Sequence, residues 1–104
     1  MPSGRLGALA VPANANTKVY TVPLLKVATM NIRVVNRSEV EVTANVAVAP
    51  ADTPVAADYI EYQVKIPRGG VLENTGIVAG ANERVIVHVS DVCTVRVHGF
   101  EESA

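Results

Sequence analysis

The chain has 104 residues, enough for one hydrophobic core and too few for two separately folded domains. Hydrophobic residues make up 49% of it and charged residues 18%, which excludes the low-hydropathy, high-charge composition of a disordered chain. A formal net charge of -1 gives no general attraction to nucleic acid or acidic lipid, so neither is expected as a partner.

Cys93 is the single cysteine, which excludes an intrachain disulfide framework and suits a reducing compartment. No stretch approaches the about 18 consecutive apolar residues of a membrane span, and the apolar run 9–11 is too short for a secretory signal. Val and Ala dominate the apolar fraction while aromatics are only 4%, so the core is expected to be built from thin, β-branched side chains on strands.

Residues 1–17 carry Pro2, Gly4, Gly7 and Pro12 as breakers with no period of 2 or 3.6, and read as an extended N-terminal arm. Its Leu6, Leu9 and Val11 are too apolar for a solvated tail and are expected to lie on the arm's own domain or on a neighbour. The domain proper is expected over 18–104. A first strand at 18–22 stops at Pro23. The next, 26–35, sets Ala28, Met30, Ile32 and Val34 against Thr29, Asn31 and Arg33, the alternation of a half-buried strand. After a turn at Asn36, Arg37 and Ser38, a third run turns Val40, Val42, Ala44, Val46 and Val48 inward, and the two are expected to pair as a hairpin.

Residues 49–58, with two prolines and two aspartates, fit a crossing loop. In 59–66, Ile60, Tyr62, Val64 and Ile66 alternate with Glu61, Gln63 and Lys65 until Pro67 and Gly69 intervene. Short strands at 71–74 and near 77–78 flank Thr75 and Gly76, and the last two strands are expected at 84–90 and 94–100. The inventory predicts an all-β fold: a single β-sandwich of about seven mostly antiparallel strands, Ig-like or jelly-roll-like, with the N-terminal arm attached.

Groups able to do chemistry are few. His88 and His98 fall on the polar phase of two consecutive strands and could face each other across a metal or a pH-sensitive contact, but no third ligand is spaced to join them. A Cys93 nucleophile would need a positive neighbour and an oxyanion hole, for which no loop is shaped, so a structural thiol is expected. Asp52, Asp58, Glu61, Glu73, Glu83 and Asp91 are scattered singly, unlike a calcium loop, and Gly69-Gly70 precedes a strand and lacks a phosphate cradle's Lys. The expectation is a protein without enzymatic activity, cofactor or metal. Thr29, Asn31, Arg33, Thr43, Asn45, Gln63 and Lys65 form a polar sheet face, solvated or in wet contact with a partner. Arg5, Arg33, Arg37, Arg68, Arg84 and Arg96 are candidate bidentate anchors for acidic partner groups, with Arg5, Arg33 and Arg37 preferred. Leu6, Leu9 and Val11 of the arm complete the candidate contact set.

Ser3-Gly4-Arg5-Leu6-Gly7-Ala8, then Asn16-Thr17-Lys18-Val19-Tyr20-Thr21-Val22-Pro23, resembles small virion proteins of tailed bacteriophages. The resemblance continues through Ala57-Asp58-Tyr59-Ile60-Glu61-Tyr62 and Gly70 to Val78, and ends in Val95-Arg96-Val97-His98-Gly99-Phe100-Glu101-Glu102. It implies a one-domain β-sandwich part of a virion, assembled in the host cytoplasm. The preferred role is a capsid decoration or cement protein that forms a homo-oligomer, such as a trimer, and bridges neighbouring subunits of the major capsid protein. The alternatives are a tail, fibre-base or baseplate accessory protein, bound to tail proteins, and a glycan-binding module using Tyr20, Tyr59, Tyr62 or Phe100.

Overall fold

The computed structural model describes residues 3–103. Eight strands follow one another along the chain: β1 (Ser3–Val11), β2 (Thr17–Thr21), β3 (Lys26–Asn36), β4 (Val42–Ala49), β5 (Tyr59–Ile66), β6 (Val71–Ala79), β7 (Arg84–Val89) and β8 (Cys93–Ser103). The described residues contain no α-helix, only a 3-10 turn at Ala56–Asp58. The strands make two four-stranded sheets, ordered β1-β8-β3-β6 and β2-β7-β4-β5, and every strand pair is antiparallel. The molecule is an all-β two-sheet sandwich.

Alternation sets the core. On β3, Ala28, Met30, Ile32 and Val34 point between the sheets, and on β8 Cys93, Val95 and Val97 do the same. Val42, Ala44 and Val46 of β4 and Val85, Val87 and Val89 of β7 meet them from the other sheet. Mostly small branched side chains fill the space between sheets about 10 Å apart, with the ring of Tyr20 buried among them. Ala47, Ala49 and Ile86 face the other way and are still buried, because the loop after β4 folds back over the outside of that sheet. Asp52 holds it there through Arg84 of β7 at 2.7 Å and Lys18 of β2 at 3.8 Å.

Several expectations are corrected. The stretch expected as an arm is an edge strand over Ser3–Val11, paired with β8, so the sandwich begins well before residue 18; Met1, Pro2 and Ala104 lie outside the described residues. The glycines that read as breakers permit this strand. Gly4 has φ +88, and at Gly7, beside the bulge following Arg5, β1 passes so close to β2 that a Cβ would sit 2.8 Å from the Val19 carbonyl oxygen. The two runs expected to form a hairpin, β3 and β4, lie in opposite sheets. Between them the buried Asn36 donates to the carbonyls of Val40 at 2.8 Å and Ile66 at 3.0 Å, while its Oδ1 accepts from the Ser38 amide at 2.8 Å. These bonds satisfy the backbone where the chain crosses over. The expected turn at Thr75 and Gly76 is a bulge inside one strand, β6, with the Gly76 amide donating to Asn31 Oδ1 at 3.0 Å.

Candidate functional site

The outer face of the β1-β8-β3-β6 sheet brings together charged, polar and apolar side chains able to contact a partner. Cross-strand register places its side chains in rows. One row runs Ala8, Arg96, Arg33, Glu73; the next holds Arg5, His98 and Asn31; the next Phe100, Thr29 and Val78. Arg33 and Arg96 are thus directly opposite each other. Arg33 reaches Glu73 at 3.4 Å across an exposed pair, while the Nε–H of Arg96 is buried and meets no hydrogen-bond partner among the described residues. Val78 is 66% exposed and Phe100 42%.

Beyond the apolar row lies the turn from β2 to β3. There Leu24 is 75% exposed and Leu25 80%, and Leu25 holds a left-handed φ of 63°. The Lys26 amide donates to the Pro23 carbonyl at 3.3 Å, closing a tight turn whose third position favours glycine. Two leucines are presented to solvent, Leu25 on strained backbone.

On the other sheet, Tyr59 and Tyr62 with Ala56 line an open concavity of about 410 Å³ beside the long loop. Their rings meet edge to face, centroids 5.0 Å apart. Strict alternation would put Tyr59 and Tyr62 on opposite faces. Two register shifts against β4 and a left-handed Gln63, φ 52°, bring both to one side, with the Gln63 amide donating to Asn45 Oδ1 at 2.6 Å.

The other expected sites separate. His88 pairs with Asn45 on the outside of one sheet and His98 with Asn31 on the outside of the other, so the sandwich stands between them and they cannot share a ligand. Among the described residues no cluster of three or more His, Cys, Asp or Glu side chains is placed to hold a metal. Cys93 points into the core; burial pushes its thiol up and so disfavours the nucleophilic thiolate, outweighing the nearby charge of Arg37, which acts to lower it. The polar positions expected on one face divide between two: Thr29, Asn31 and Arg33 on the first sheet, Thr43, Asn45 and Lys65 on the second.

Of the candidate contact residues, Arg5, Arg33 and Arg37 are exposed. Leu6 is half-buried against the core, Leu9 is 40% exposed at the sheet edge, and Val11, 1% exposed, belongs to the core and is not available to a partner. Sequence reasoning passed over the exposed leucines of the β2–β3 turn and the apolar row beside Thr29. The Pro23-Leu24-Leu25 run was the available signal for the first, since leucines next to a strand-ending proline lie outside any alternating pattern. No protein family, curated protein or solved structure matches the chain.

Proposed function

We propose that the chain is a structural protein of a tailed-phage particle, a decoration or cement protein that assembles as a homo-oligomer on the shell and bridges subunits of the major capsid protein. The observation that carries this reading is the strand order, β1-β8-β3-β6 over β2-β7-β4-β5. It supports taking the sandwich as a jelly roll, the eight-stranded double Greek key on which viral capsid and lectin domains are built. That inference is an analogy of fold. The resemblance of the Ser3 to Ala8 and Val95 to Glu102 segments to small virion proteins agrees with it, and so does the apolar surface at Leu24, Leu25, Val78 and Phe100, which suits burial against a neighbour. β1 contributes as a sheet edge, with Leu9 open at its rim, in place of a free arm.

The test is to mix the purified protein with undecorated shells and separately with isolated tails, and to follow it by sedimentation. Binding to shells with raised heat resistance is expected. Binding to tails alone would replace this reading with that of a tail accessory protein.

A second reading, a glycan-binding module, is favoured by the Tyr59 and Tyr62 concavity, since sugars stack on exposed aromatic faces. Titration with a panel of bacterial surface oligosaccharides tests it: shifts confined to Tyr59, Tyr62 and Ala56 would support it, and their absence would remove it.

A further inference from the structure

Two arginines directly opposite each other on neighbouring strands repel, and a sheet normally avoids the arrangement. Here Arg33 of β3 and Arg96 of β8 occupy such a pair, and the adjoining row adds Arg5 and His98 on the same face. The nearby carboxylate of Glu73 lies beside Arg33, on the far side from Arg96. Arg96 meanwhile buries an Nε–H with no partner among the described residues, a donor whose desolvation goes uncompensated. The face therefore carries an electrostatic cost that an incoming anion would remove.

We propose that this face, centred on Arg33 and Arg96, docks an acidic segment of a partner protein. The two guanidinium groups take its carboxylates, and the Phe100, Thr29 and Val78 row takes its apolar side chains. The planar fork of Arg matches a carboxylate bidentately, and arginine and aromatic residues are the types enriched where protein surfaces meet. The surroundings distinguish such a segment from a nucleic acid backbone. The basic rows are bounded on one side by Val35, Thr94 and Val71 and on the other by the Phe100 row, so the positive strip is only about 7 Å from one row to the next. A phosphate backbone draws a longer basic stripe, and the chain's net charge of -1 supplies no wider attraction. The assignment concerns the surface alone and holds whether the partner stands on a shell, on a tail or elsewhere, so failure to sediment with shells leaves it intact.

The experiment is to pan a random-peptide library against the folded full-length chain, then to titrate the recovered peptides into isotope-labelled protein. Recovered sequences should be enriched in Asp and Glu next to apolar residues, and shifts should map to β3 and β8 around Arg33 and Arg96. The double variant Arg33→Gln/Arg96→Gln should bind about tenfold or more weakly, and Arg68→Gln, whose Arg68 pairs with Glu39 at 2.8 Å in a turn away from this face, should bind as the parent does. The double variant should melt at the same temperature as the parent or higher, since it relieves like-charge repulsion. Sequences without acidic enrichment, parent-like binding by the double variant, a lowered melting temperature in it, or displacement of the peptide by short duplex DNA at lower concentration would each overturn the proposal.

Discussion

The Tyr20 hydroxyl on one sheet donates to the Glu101 carboxylate on the other, and both residues are buried. It is a polar tie between two sheets whose shared core is otherwise mainly apolar, Asn36 being the other buried polar side chain among the described residues. Removing the donor leaves a carboxylate without compensation, so Tyr20→Phe should cost about 2 kcal/mol in urea unfolding at neutral pH. Glu101→Gln added to that variant should recover part of the loss, because a neutral amide is cheaper to bury than a charge. Burial, and then the bond to Glu101, hold the phenol well above its ordinary range. A folded pKa raised in this way stabilises fully below the unfolded value of about 10 and is lost as pH rises through the folded one. Parent stability should therefore fall more steeply above about pH 10 than that of Tyr20→Phe. Parallel curves for the two proteins would mean that water already reaches the hydroxyl.

Gly99 sits in the middle of a four-stranded sheet, between Gly4 of β1 and Met30 of β3. A Cβ there would lie 2.0 Å from the Thr29 carbonyl oxygen and 2.7 Å from Met30 Cα, both backbone atoms that cannot swing aside. Gly99→Ala should cost about 3 kcal/mol or more. Gly76→Ala, at φ +68 but with nothing within 4 Å of the added carbon, should cost only about 1 kcal/mol, the penalty of left-handed backbone alone. Thermal melts of the two variants measure the difference, and equal melting temperatures would refute the crowding at Gly99.

The strands were legible wherever alternation ran unbroken. Lys26–Asn36 and Tyr59–Ile66 show it in their limits, since Pro67 and the turn at Asn36 mark the ends. Pairing was not legible, because the inward valines of β3 and β4 look the same whether the strands lie side by side or face to face across a core. β1 was missed because Gly4, with its left-handed φ, and Gly7, at the close approach to β2, disrupt the very period that identifies a strand. Arg33 and Arg96 are both legible in the sequence as possible anchors, but that they stand opposite each other follows only from register, and register is a tertiary fact. The tyrosine concavity depends on register shifts in β5 that place residues 59 and 62 together, against their spacing.

Asp52 fastens the β4–β5 loop over Ile86; this loop, expected to cross between sheets, joins two paired strands of one sheet. The Arg84 hydrogen bond, with the charge of Lys18 behind it, holds the Asp52 carboxyl below the usual aspartate range. A depressed folded pKa gives stabilisation that is present above the unfolded value, about 3.9, and lost as pH falls through the folded one. Below that range the loop should loosen and uncover Ile86, which is 2% exposed at present. The Ile86 methyl resonances should then move with a transition at acid pH in the parent. In Asp52→Asn they should already stand at shifted positions at neutral pH and show no such transition. Identical titration of both proteins would mean that other contacts hold the loop.

Leu25 occupies a turn position, φ 63°, where glycine would rest without strain, and it buries almost nothing in return, being 80% exposed. Left-handed backbone costs a residue with a Cβ about 1 to 2 kcal/mol. Leu25→Gly should therefore raise stability by about 1 kcal/mol, once the greater freedom of glycine in the unfolded chain is set against the relieved strain. Leu25→Ala keeps the strain and should change stability little. The comparison separates two reasons for a leucine here. If it serves the fold, Leu25→Gly destabilises. If its side chain serves a contact outside the chain, the glycine variant gains stability and loses affinity for the partner, while Leu25→Met, which keeps an apolar side chain of similar reach, retains both the strain and the binding.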